Sequence, residues 1–135
     1  MVEKTLAIIK PDAIKKKLTG KIIQRIEDEG FKISGLRMLR LNKEEVKDFY
    51  IIHKDKQFYE SLTDFMSSGE IVIMVLEREN AISHWRQVMG VTDPALAEPG
   101  TLRQMFGFSI ERNATHGSDS PTTAEWEINY FYKKE

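Results

Sequence analysis

Apolar positions along this 135-residue chain change their spacing several times, and each change marks an element. Thr5-Leu6-Ala7-Ile8-Ile9-Lys10, ended by Pro11, reads as a buried strand. Between Thr19 and Glu29, Ile22, Ile23 and Ile26 fall on one helical face, and Gly30 stops the helix. Phe31 to Leu41 alternates, but Phe31 and Ile33 share a parity that Leu36 and Met38 break. A bulge at Gly35 would reconcile the two halves. Asn42 with Glu45 forms a capping-box pair ahead of the stripe Val46, Phe49, Tyr50. Leu62, Phe65 and Met66 make a second stripe that ends at Gly69. Ile71 to Leu76 is uninterrupted apolar sequence and predicts a central strand. Asn80 starts a helix with Ile82, Trp85 and Met89 inward, and Gly90 ends it. From Val91 to about Phe108 the pattern fails at Pro94, Pro99 and Gly100, as functional or disordered stretches do. Ile110 to Thr115 is the last strand-like segment, and Pro121 to about Tyr132 closes the chain as a helix. Strands interleaved with helices suit an α/β or α+β sandwich, a small sheet covered by helices. Periodicity leaves open whether that sheet is parallel.

Composition narrows the picture. The length fits a single domain, 1–135, with one sizeable core. Hydrophobic residues at 41% and charged residues at 30% describe a folded globular chain. Twenty basic against 21 acidic residues leave a net charge of −1, which gives no reason to expect a nucleic-acid partner. Any anion must then be held by a local cluster of cations. There is no cysteine, so disulfides and thiolate metal sites are excluded. No apolar run approaches the ~20 residues that cross a bilayer. Met1 to Lys10 lacks the parts of a secretion signal, so the expectation is a cytoplasmic protein with no membrane partner.

The candidate chemistry gathers in Asn113-Ala114-Thr115-His116-Gly117-Ser118-Asp119-Ser120, with Pro121 next. Glycine lets a ligand approach the backbone, and Ser120-Pro121 is a helix-start pair. An imidazole beside a helix N-terminus lies where anions are favoured, the arrangement a phosphate-accepting nucleophile needs. The same string is also what an ordinary polar turn before a helix looks like. Lys10, closing its strand, is either a solvated strand end or part of a site built at strand ends. Lys15 to Lys17 reads as an exposed basic run. There is no Gly-x-x-x-x-Gly-Lys-Ser/Thr loop, so phosphate must be held by side chains. His53 and His84 read as surface residues, and three histidines without cysteine at no ligand-like spacing predict no protein metal site.

With these residues in place, the chain resembles the nucleoside diphosphate kinases nearly end to end. Three stretches carry the likeness. They are Ile9-Lys10-Pro11-Asp12; Thr92-Asp93-Pro94-Ala95 through Pro99-Gly100-Thr101-Leu102-Arg103; and Asn113 to Asp119. The resemblance implies a ferredoxin-like α+β sandwich with a four-stranded antiparallel sheet covered by helices. It implies transfer of the terminal phosphate from a nucleoside triphosphate, typically ATP, to a nucleoside diphosphate. That transfer is ping-pong through a phosphohistidine, with Mg²⁺ on the nucleotide. Carried over by position, His116 accepts the phosphate, Glu127 orients its ring and Ser118 supports that contact. Lys10 and Tyr50 touch the transferred phosphate, while Arg86, Thr92 and Arg103 grip the others. Asn113 meets the sugar hydroxyl and Phe58 stacks on the base, while the carry-over leaves open whether Asp119 reaches the magnesium shell through water. A homo-oligomer, tetramer or hexamer, is implied as well.

The chemistry of these residue types agrees. Imidazole as a group titrates near ~6.5, so much of it is nucleophilic at pH 7. A carboxylate on one ring nitrogen fixes the tautomer and leaves the other free. Lysine is a compact point charge, and arginine a forked donor matched to phosphate oxygens. Aromatic stacking tolerates every base, which predicts low base specificity. The chain departs from the family at Lys56-Gln57-Phe58-Tyr59, where Arg-Pro-Phe-Phe is more usual, and at Gln104-Met105, where many members have Gly-Asp. Rival readings are another histidine-based phosphotransferase and a ferredoxin-like binding module without catalysis.

Overall fold

A computed structural model describes residues 2–132, so the Met1 end of the N-terminal reading and the last three residues of the 1–135 domain lie outside it. Strand β1, Val2–Ile9, begins earlier than the apolar run suggests, and its Thr5–Ile9 half is completely buried. Pro11 then takes the first position of a short helix α1, Pro11–Lys15, where its missing N–H costs nothing. This helix absorbs part of what reads in sequence as turn and basic run. Helix α2, Thr19–Asp28, turns Ile22 and Ile26 inward. Strand β2, Lys32–Leu39, slips register between Ile33 and Gly35, so the parity change is a bulge with Ser34 as the extra residue. Asn42 and Glu45 cap helix α3, Lys43–Phe49, reciprocally.

Helix α4, Tyr59–Met66, follows, then strand β3, Ile71–Glu79, and helix α5, Ala81–Met89. Asn80 starts α5 through its left-handed backbone (φ 56°) and makes no side-chain cap. The first-turn N–H of Ile82 is satisfied by Glu3 on β1 instead, at 2.9 Å. The patternless stretch holds a 3₁₀ turn, Pro94–Leu96, and helix α6, Leu102–Phe106, capped by Thr101. The last strand is not Ile110–Thr115. Strand β4 is Thr115–Gly117, shifted to the polar residues, and helix α7, Pro121–Tyr132, closes the described chain.

The strands lie in the order β2-β3-β1-β4 with every neighbouring pair antiparallel, which makes this a ferredoxin-like α+β sandwich. Alternation along the two central strands sends Leu6, Ile8, Ile71 and Ile73 to one face, where α3 and α4 cover them with Val46, Phe49, Leu62 and Phe65. Ala7, Ile9, Val72, Met74 and Leu76 go to the other face, under Ile22 and Ile26 of α2 and Trp85 and Val88 of α5. Each fully buried Leu or Ile contributes about 1.5–3 kcal/mol. This packing fixes the place of the chemistry. β1 delivers Lys10 at its C-terminal end, and the β1–β4 register sets His116 opposite Ile8.

Candidate active site

His116 stands on β4 with α7 across from it. Its Nε2 lies 3.0 Å from Glu127 Oε1, and the buried Ser118 hydroxyl donates to the same oxygen at 2.7 Å. Ser118 Oγ in turn accepts from the Leu6 N–H on β1 at 3.3 Å, so the trio is tied to the central sheet. A carboxylate oxygen that accepts from Nε2 requires the hydrogen there, which leaves Nδ1 as the ring's lone pair. The rings of Phe49 and Tyr50 meet the imidazole edgewise, 5.5 Å and 5.9 Å between centroids. Behind it, Trp85 Nε1 donates to the His116 carbonyl at 3.1 Å.

The cations converge on the same side. Lys10 is buried, and its ammonium donates to Asn113 Oδ1 at 2.8 Å and to the Glu111 carbonyl at 3.4 Å. Burial, and then repulsion from Arg103, lowers this ammonium from 10.5 to about 8. Arg103, on α6, donates to the carbonyls of Gly90 and Thr115, each at 2.9 Å. Burial and then Arg86 lower its guanidinium to about 10. Tyr50 is pushed up by burial and by Glu127. Arg103 Nε and the Tyr50 hydroxyl are buried without a hydrogen-bond partner among the described residues. Buried positive groups close to one another, with spare donors among them, form a site suited to an anion.

A cleft of about 850 Å³ opens beside them, lined by Arg86, Thr92, Glu98, Arg103, Gly117 and Asp119 among others. Arg86 and Thr92 are exposed, and the Thr92 carbonyl accepts from Asn113 Nδ2 at 3.0 Å. Phe58 is half exposed at the rim, 5.7 Å from the ring of His53, which lies 6.2 Å from Tyr50. A file of rings therefore runs from Phe58 to His116. His53 is part of that file rather than plain surface. His84 is also half-buried, 2.8 Å from Glu29 and against the Phe31 ring. All ten candidate residues thus belong to one connected region. Sequence reasoning missed three supports: Phe49, the Trp85 indole N–H, and Asp12, whose Oδ2 accepts from the Ala114 N–H at 3.1 Å. The signal for Asp12 was its place directly after Lys10-Pro11.

Among the described residues no group of three or more His, Asp or Glu side chains could hold a metal ion. Glu98 and Asp119 line the cleft, and their oxygens are the donor type a hard divalent cation takes.

A ferredoxin-like sandwich with buried cations gathered beside an open cleft supplies the positioned positive charge that a phosphotransferase needs. The sequence matches the nucleoside diphosphate kinase family over residues 3–135, and the chain belongs to that family. It is 52% identical to the nucleoside diphosphate kinase of Geobacter sulfurreducens over 133 residues, covering 98% of this chain and 97% of the relative. The enzyme of Persephonella marina is also 52% identical, with 98% and 95% covered. Among solved structures, the Aquifex aeolicus nucleoside diphosphate kinase superposes with a TM-score of 0.97 at 43% identity, covering 98% of this chain and 96% of that one. The Halobacterium salinarum enzyme in complex with CDP gives 0.96 at 36% identity, with 99% and 90% covered.

Proposed function

We propose that this chain moves the terminal phosphate of a nucleoside triphosphate to a nucleoside diphosphate through a phosphohistidine at His116. The observation that carries the reading is the shared Glu127 oxygen, which ties up Nε2 and leaves Nδ1 with its lone pair. In the first half-reaction Nδ1 attacks the γ-phosphorus, the bond to the β,γ-bridging oxygen breaks, and the diphosphate leaves with that electron pair. In the second, a terminal oxygen of the incoming diphosphate attacks the phosphorus and the P–N bond returns its pair to Nδ1. The transition state is loose, so the protein's work is positioning and charge neutralisation.

Lys10 and the unpartnered Tyr50 hydroxyl suit the transferred phosphate; Arg103, Arg86 and Thr92 suit those that stay behind. Asn113 Oδ1 accepts from Lys10 and keeps a second lone pair for a sugar hydroxyl. Phe58 offers a flat face to any base, so kcat/KM across purine and pyrimidine nucleotides should vary less than about tenfold. Magnesium carried on the nucleotide phosphates would supply further charge neutralisation, and Asp119 and Glu98, which line the cleft, are the acids that would receive its water shell. The setting is cytoplasmic, in keeping with the lack of cysteine. No helix among the described residues is long and apolar enough to cross a membrane. The assembly is a homo-oligomer, tetramer or hexamer, a reading that the exposed Leu36 and Met38 on edge strand β2 support.

The test uses γ-labelled ATP in two stages. The protein alone should take up acid-labile, base-stable label, and added nucleoside diphosphate should then remove it as triphosphate. His116→Ala should abolish both. Label that stays in place when diphosphate is added would point to another phosphate acceptor and overturn the proposal.

A further inference from the structure

Three residues other than glycine hold a positive φ in the described chain, Lys17, Asn80 and Ala114. The first two lie at the surface, and asparagine adopts this region readily. Ala114 is different. It is completely buried, has φ +76°, and stands two residues before His116. An L-alanine avoids this conformation because its Cβ crowds the backbone, so the surrounding structure must impose it. The peptide groups of Ala114 are gripped from both sides by the corner between β1 and α1. Its N–H donates to Asp12 Oδ2 at 3.1 Å, and its carbonyl accepts from the Lys10 N–H at 2.9 Å.

Asp12 occupies the first turn of α1, where an acid usually faces solvent and answers the helix dipole. Here it is only 8% exposed and reaches a partner 102 residues away in the chain. Its other oxygen, Oδ1, is buried without a partner among the described residues, so the carboxylate is held by the Ala114 N–H and by the charge of nearby Lys10. Burying a carboxylate for one hydrogen bond is costly, and helix capping does not explain it. The backbone turn at Ala114 sets the direction in which β4 departs. The direction of β4 sets where the His116 ring stands.

We infer that Asp12 is a positioning residue of the phosphate-accepting histidine, clamping the left-handed Ala114 peptide from which the strand bearing His116 starts. The inference rests on the reading of His116 as the acceptor. Asp12 touches no substrate. It acts through Ala114, and its removal should disturb the chemical step more than nucleotide affinity.

The experiment compares the full chain with Asp12→Ala, Asp12→Asn, Ala114→Gly and the Asp12→Ala/Ala114→Gly pair. It reads single-turnover phosphate uptake from labelled ATP near pH 6.5, where Lys10 keeps its proton, together with the apparent KM. Asp12→Ala should slow uptake by about 10²-fold, the scale of a small misplacement of a reacting group, with KM changed less than about threefold. Glycine enters the φ of Ala114 without strain, so Ala114→Gly in that background should restore at least about tenfold. Unaltered uptake in Asp12→Ala, a rise in KM matching the loss, or no recovery by glycine would each overturn the inference. If Asp12→Ala does not fold, Asp12→Asn decides, since it keeps an acceptor oxygen. Uptake within about tenfold of wild type, or a larger loss recovered by Ala114→Gly, supports the clamp, and a larger loss without recovery overturns it. Phosphate uptake by His116→Ala would instead bring down the reading of His116, whatever the Asp12 variants do.

Discussion

Gly117 packs so closely on Trp85 that a β-carbon at that position would lie 2.5 Å from Trp85 Cδ1, with Met89 Cε at 2.6 Å. Trp85 is completely buried and holds the His116 carbonyl, so it cannot give way. The glycine after His116 is therefore required by the α5 side of the core, and not merely by an approaching ligand. Gly117→Ala should cost about 1–3 kcal/mol, the price of overpacking, and should slow phosphate uptake by displacing β4. Urea denaturation and a single-turnover assay check the two effects. A fully stable, fully active variant would refute this account.

Ser118 and His116 compete for the same Glu127 oxygen, so the two variants at this trio should differ. Ser118→Ala removes one donor from a buried carboxylate and should cost about 1–3 kcal/mol of stability, with uptake reduced about tenfold or less. Glu127→Ala frees the ring tautomer and should reduce uptake by about 10²–10⁴-fold. Rapid-quench uptake measurements order the pair. A larger loss from Ser118→Ala than from Glu127→Ala would contradict the roles assigned here.

The depressed ammonium of Lys10 predicts opposite pH responses of binding and stability. In free enzyme the charge is lost as pH rises through about 8, so kcat/KM should fall on that limb. At saturation, bound phosphates favour the charged form and kcat should fall only at higher pH. For stability the sign reverses. Between about 8 and 10.5 the unfolded chain still binds the proton that the folded chain has released, so this group's contribution rises with pH through the window. Lys10→Met should remove that rise in denaturation midpoints measured across it, and an unchanged slope would count against the assignment.

Arg25 on α2 reaches across to the cleft. Its Nη1 donates to the Gly100 carbonyl at 2.8 Å, while its Nε is held 2.8 Å from Glu29 Oε2. Gly100 immediately precedes Thr101, the cap of α6, and α6 carries Arg103. Arg25→Ala should therefore loosen the wall between Thr92 and Arg103. KM for nucleotide should rise several-fold with kcat nearly constant, for a stability cost of about 1 kcal/mol or less. Steady-state kinetics decide it, and a loss confined to kcat would be the wrong sign.

The elements legible in the sequence are those whose side chains face the core over many residues: α2, α3, α4, α5 and β3 all carry their inward stripe in the primary pattern. Helices α1 and α6 escaped because five residues are too few to show a helical period. Strand β4 was misplaced because three residues, one of them glycine, carry no alternating pattern, and only the long-range pairing with β1 makes them a strand. Strand direction was illegible for a different reason, since pairing is long-range and leaves no local trace. At the site, His116 and the cations could be named from motif residues. The inward turn of Glu127 came from the fold, which leaves its neighbour Trp126 half exposed.

Among the described residues strand β4 ends the sheet, with β1 on one side and no further strand on the other. A bare sheet margin is a template on which another chain can lay its own backbone. His116 turns its own backbone groups toward Ile8 of β1, and the outward carbonyl of Thr115 is already taken by the Arg103 guanidinium. The border beside His116 thereby offers an incoming backbone one acceptor fewer, so stray pairing of crowded copies is discouraged at the mouth of the cleft.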